Sequence, residues 1–221
     1  MIKNIVTFLS TYKFSLLLLT LMAQIFIPVY FVDMIIHGML SYLFMSLTLL
    51  SSIILFRNNK RHRLFKLYSL FIALVMLLIW LDYFSTNIQI VHVSRLLLVS
   101  SLYTAIFINI FKEFAKRKEV DLDFIFGAVA AFLLLGLLGS FLSVLIDVYY
   151  PGSFSFLTTP VDFQDYIYFN FVTLTTLGYG DVLPVTAQGQ MHAVFVAIAG
   201  QLYLTITIGL IVGRYLMRGS K

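Results

Sequence analysis

Apolar residues along this chain come in long unbroken runs, not in the alternation of a half-buried strand or the single stripe of a surface helix. The runs cover residues 14–32, 39–56, 67–84, 88–111, 124–146 and 191–212. Each ends at a polar or charged stop, among them Asp33, Arg57, Ser85, Lys112, Asp147 and Arg214. Each approaches the ~20 residues that a helix needs to cross ~30 Å of hydrocarbon. A shorter stretch, 162–175, lies between the fifth and sixth runs, after Pro160 and before a glycine pair. Too short to span, it is expected to be a re-entrant helix, with Asp162 as N-cap and Asp165 at the positive end of the helix dipole. Pro28, which lacks an amide donor, is expected to kink the first run. That run is longer than a signal-peptide core and has no small-residue cleavage site after it, so it reads as a span.

Composition agrees with the pattern. Apolar residues make up 61% of the 221, charged residues 11%, and mean hydropathy is +0.97. A water-soluble domain averages ~45–50% apolar and ~25% charged, which excludes a soluble enzyme, a disordered chain and a secreted scaffold. With no cysteine there is no disulfide framework, thiolate nucleophile or cysteine metal site. The net charge of +5 gains meaning from its placement. Fourteen of the 15 Lys and Arg fall on one side of a six-span layout, and only Arg95 falls within a span. The opposite side holds Asp33, Asp82, Asp147, Asp162, Asp165 and Asp181. The positive-inside rule then expects a multi-pass protein of the cell membrane with both termini cytoplasmic. The basic run 57–66 is expected to meet anionic lipid at the inner leaflet, not nucleic acid.

The chemistry is concentrated in Thr173-Leu174-Thr175-Thr176-Leu177-Gly178-Tyr179-Gly180-Asp181. Irregular backbone at membrane depth survives only where it is buried in protein or lines a watery path. Gly178 and Gly180 allow dihedral angles that turn successive carbonyls toward one axis. Four such strands would replace a cation's hydration shell with rings of carbonyls, and the Thr176 hydroxyl would add a further ring. The short helix would aim its negative C-terminal end, near Thr175, at the ion's route.

Thr-x-x-Thr-x-Gly-Tyr-Gly, here residues 173–180, resembles the signature of the tetrameric potassium channels. The resemblance implies an all-α membrane protein with six transmembrane helices, a re-entrant pore helix and an extended selectivity filter. It implies a homotetramer in which Thr176, Leu177, Gly178 and Tyr179 bind dehydrated K⁺, with Gly180 completing the filter and no other cofactor. Leu177 stands where many members have Val or Ile. Asp181 and Pro184 match the acid and proline beyond the filter. Thr173, Thr175, Asp181, Tyr168 and Phe169 would support it, the last two occupying the places of two tryptophans. Val172 replaces a glutamate found in some members, so no hydrogen bond to Asp181 can come from that position. Gly200, 20 residues after Gly180, stands where the family often has a gating hinge, while Gly209 and Gly213 suit close packing.

The resemblance is strong over 124–213, and the expected division is a four-helix membrane domain at 1–118 and a pore domain at 119–221. The first four spans resemble the family's voltage-sensor domain only in number and orientation. Their fourth helix carries Arg95 alone, where steep sensors carry ~3–4 charges per subunit, each worth ~2.3 kcal/mol per 100 mV. Arg95 is expected to pair with Asp82, as a structural ion pair or a weak sensor, and His37, His92 and His192 are expected to be interfacial or packed. The eight residues after Gly213 are too few for a ligand-sensing domain. An enzyme is not expected, because the polar groups within the spans, Gln24, Arg95, Asn109 and Gln201, form no convergent catalytic cluster. A potassium-uptake subunit would need four filter loops where this chain has one. The rival within the channel class is a weakly selective cation pore, disfavoured because Tyr179 and every oxygen-bearing position are intact.

Overall fold

The structure is a computed structural model and describes residues 12–31, 33–57, 62–84, 89–117, 120–157 and 161–219. Its helices are α1 (Lys13–Phe26), α2 (Met34–Arg57), α3 (His62–Phe84), α4 (Gln89–Lys116), α5 (Leu122–Tyr149), α6 (Phe163–Leu174) and α7 (Ala187–Gly219). A two-residue strand β1 (Phe154–Ser155) pairs antiparallel with β2 (Leu183–Pro184). Six helical segments are long and apolar enough to cross a membrane. Lys3, Lys118, Pro160 and much of the basic run 57–66 lie outside the described residues.

Helix boundaries depart from the apolar runs where capping chemistry intervenes. α1 stops at Phe26, and Pro28 opens a 3₁₀ turn over Pro28–Tyr30, so the first run bends there. α2 begins ahead of its apolar run because the Asp33 carboxylate accepts from the Ile35 amide at 2.9 Å, filling orphan donors of the first turn. α7 begins early for a similar reason, with the Thr186 hydroxyl accepting from the Gly189 amide at 3.2 Å.

The chain forms two compact units, residues 1–131 and 132–221, with the boundary inside α5. In the first, Leu17, Leu21, Leu49, Ile72, Ile79, Leu96, Val99 and Ile106 form a dry core. Its buried polar groups are closed by one another. Gln24 Oε1 accepts from Tyr103 at 2.7 Å and from Thr48 at 3.2 Å. Arg95 Nε lies 2.6 Å from Asp82 Oδ2, and the same oxygen accepts from the Tyr42 hydroxyl at 2.9 Å. The Arg95 guanidinium sits over the Tyr42 ring, and His92 Nδ1 is 3.5 Å from Asp82. At the opposite end Lys13 pairs with Glu113, and Arg117 reaches Asp123 at 2.9 Å.

In the second unit the strand pair places Phe154 opposite Pro184 and Ser155 opposite Leu183. This ties the segment after α5 to the segment after the glycine pair, and the Val185 amide donates to the Ser153 carbonyl at 2.8 Å.

Candidate functional site

α6 is the element on which the site is built. Asp162 accepts from the Gln164 amide at 2.7 Å and the Asp165 amide at 3.2 Å, and Asp165 accepts in return from the Asp162 amide at 2.8 Å. This reciprocal capping box sets the first turn in register. Two α5 glycines then receive the far half of the helix. A Cβ on Gly136 would fall 2.5 Å from the Phe171 ring, and one on Gly139 would fall 2.7 Å from Asn170 Oδ1. Asn170 is fully buried and donates from Nδ2 to Ser143 on α5 and to the Tyr166 carbonyl, each at 2.8 Å. His192 of α7 completes the cluster, its Nε2 lying 2.8 Å from Ser143 Oγ and 3.1 Å from Asn170 Oδ1. At the C-terminal end of α5, Asp147 accepts from the Tyr166 hydroxyl at 2.6 Å and from the Ser153 amide at 2.9 Å.

α7 buries one stripe, Gly189, His192, Val196, Gly200 and Tyr203, at helical spacing. A Cβ on Gly189 would stand 2.8 Å from the Ser153 carbonyl. Tyr203 closes the stripe against Phe132, with ring centroids 5.7 Å apart. Gly200 does not mark a break, because α7 runs unbroken through it. It lies where a Cβ would collide with the Leu174 carbonyl oxygen and come within 2.9 Å of Leu174 Cδ1.

Beyond α6 the backbone changes handedness residue by residue. Thr176, Gly178 and Gly180 have φ of 59°, 57° and 78°, and Leu177 and Tyr179 between them do not share it. Thr176 is the one non-glycine residue with positive φ among the described residues. In an ordinary strand successive amides point to opposite sides. Here the Leu177 and Gly178 amides converge on the Val172 carbonyl, at 2.9 and 3.4 Å. A trans peptide holds C=O opposite N–H, so the Thr176 and Leu177 carbonyls both point away from α6. The Thr176 hydroxyl donates to the Thr175 carbonyl at 2.7 Å, which leaves its lone pairs free to accept a cation. The Thr173 and Thr175 hydroxyls bond back to the Phe169 and Phe171 carbonyls, so they satisfy the end of the helix. Residues 175–180 are all exposed in one chain, Tyr179 at 67% and Leu177 at 54%.

Behind this segment lies a cavity of about 200 Å³, lined by Val172, Thr173, Gly178, Gly180, Asp181 and Ala193 among others. Tyr168 donates its hydroxyl to Asp181 there. Sequence reasoning found the missing glutamate at Val172 but missed this substitute donor, although a phenol at Tyr168 was the available signal. The same bond holds the Asp181 carboxyl below its usual range and pushes the Tyr168 phenol up to about 12. Phe169 is buried and packs on Phe154 at 5.0 Å between centroids. The structure thus brings Thr173, Thr175, Thr176, Leu177, Gly178, Tyr179, Gly180, Asp181, Tyr168 and Phe169 around one short helix, while Arg95 and Asp82 belong to the first unit. Among the described residues no cluster of three His, Cys, Asp or Glu is placed to hold a metal ion.

Residues 132–217 match a family model described as an ion channel, a stretch that starts where the second compact unit starts. No solved structure matches the chain.

Proposed function

We propose that the ion channel domain at residues 132–217 forms a potassium-selective pore from four copies of this chain. The observation that carries this reading is the backbone after α6, where left-handed Thr176 and Gly178 flank Leu177 and the Thr176 and Leu177 carbonyls both point away from α6. One chain supplies one such row, and a row of oxygens on one side cannot enclose an ion. Fourfold assembly closes it into rings that replace the hydration shell of K⁺, the cargo, at the oxygens of Thr176, Leu177, Gly178 and Tyr179. α6 acts as the pore helix, its negative C-terminal end directed to the ion's route. The exposed side chains of Leu177, Tyr179, Met191 and Phe195 are then apolar surface left for neighbouring copies and lipid to cover.

The ion channel match makes this a transport protein and not an enzyme. Its working location is the cell membrane with both termini cytoplasmic, and the basic inner side meets anionic lipid. Strong voltage gating is disfavoured by Arg95. It is the only arginine on α4, it is held at 2.6 Å by Asp82, and the buried polar groups Gln24, Thr48 and Tyr103 of the same unit are neutral. Fully crossing the field in four subunits it would supply only ~9 kcal/mol per 100 mV.

The test is purified protein in planar bilayers with K⁺ on one side and Na⁺ on the other. The expected result is a reversal potential far toward the K⁺ limit and an open probability that changes little with voltage. A reversal potential near zero with clear currents overturns K⁺ selectivity in favour of a general cation pore.

A further inference from the structure

We propose that Gly200 is a positioning residue that couples the last helix to the inner end of the filter, and that it does so as a close contact and not as a bend. The inference rests on the channel reading above and deepens it toward regulation. Of the groups at the end of α6, the Phe171 carbonyl accepts the Thr175 amide, the Thr173 carbonyl the Thr176 amide, and the Val172 carbonyl the Leu177 and Gly178 amides. The Leu174 carbonyl has no N–H or O–H donor among the described residues. It is covered instead by the bare Cα of Gly200, since any Cβ there would overlap its oxygen. That approach of two backbones, open only to glycine, joins α7 to the residue just before Thr175 and the filter.

One turn further along the buried stripe of α7, Tyr203 packs on Phe132 of α5. Further down, the Gly209 and Gly213 positions have nothing within 4 Å among the described residues. The lower part of α7 is therefore a lever with its load at Leu174. A displacement of that arm moves the filter entrance through a contact with no side chain to absorb it.

The experiment uses the full chain in planar bilayers with opposed K⁺ and Na⁺, reading reversal potential and open probability for the unsubstituted protein, Gly200→Ala, Gly209→Ala and Gly213→Ala. Gly200→Ala is expected to reduce the K⁺ preference by roughly tenfold, the scale that overpacking a tight contact sets. Gly209→Ala and Gly213→Ala, which stiffen the helix in open space, are expected to keep both readouts within about twofold. Unchanged selectivity in Gly200→Ala, or a fall in open probability alone, overturns the proposal. So does a roughly tenfold loss of open probability in either lower variant, which decides the matter even if Gly200→Ala does not assemble. An unsubstituted chain that passes Na⁺ as readily as K⁺ overturns the channel reading itself, and the coupling with it.

Discussion

In the first unit Gln24, Thr48 and Tyr103 close on one another, and Tyr42, Asp82 and Arg95 do the same. In the second unit residues 175–180 stand exposed in a single chain, with the amides of residues 175–178 turned to carbonyls of α6. Both regions sit in sequence that expects hydrocarbon around it, where an unpaired polar group costs several kcal/mol. One unit removes that cost within itself, since these groups bond to one another. The other leaves its acceptors incomplete, and in the proposed pore they are completed by cargo and by further copies. Which polar groups a membrane helix bundle leaves open is thus a better guide to its function than how many it contains.

That contrast can be broken most severely at the filter backbone. Gly178→Ala places a Cβ at φ of 57°, where L-residues pay ~1–2 kcal/mol, repeated in every subunit. Gly178→Ala and Tyr179→Ala are each expected to abolish selective flux while leaving the first unit folded, as read by reversal potential and by helical content. Unchanged K⁺ selectivity in both would mean that these oxygens are not the site.

The converse experiment breaks the closed unit. Asp82→Ala leaves Arg95 buried without its partner, the two side chains being only 7% and 10% exposed. The expected loss is ~3–5 kcal/mol of stability, seen as a lower thermal midpoint in detergent with reversal potential unchanged. Arg95→Met combined with Asp82→Leu is expected to recover most of that loss, because the pair is then replaced by packing.

The smallest effect lies at Tyr168. Asp181 has its carboxyl held below the usual range by the Tyr168 hydroxyl, so the brace is complete above the ordinary carboxylate range and is lost as pH falls through the lowered value. In Tyr168→Phe the acid-induced change in current is expected to move to higher external pH, toward ordinary carboxylate values. An identical pH profile in the two proteins would show that the hydroxyl does not hold Asp181.

Much of this was legible without a structure. The apolar runs marked the six long helices, Asp162 and Asp165 announced the start of α6, and Asp82 was the acid expected beside Arg95. These readings depend on transfer free energy and local capping, quantities that sum along the chain. The missed features were of another kind. Tyr168 was read only as an aromatic bracing the filter, because sequence shows its ring but not which carboxylate its hydroxyl reaches. Gly200 was read as a possible hinge from its place 20 residues after Gly180, and its close approach to Leu174 could be seen only from a neighbour's position.

By itself the sequence determined the all-helical membrane class, because hydropathy acts on each residue whatever its neighbours, and it singled out residues 173–181 as the candidate site. Only the tertiary structure decided that the carbonyls of Thr176 and Leu177 share one side, that Tyr168 replaces the absent acid at Val172, and that Gly200 meets Leu174. Those are matters of which face of a helix meets which oxygen. Hydrocarbon accepts any rotation of an apolar helix almost equally, so packing alone chooses among them.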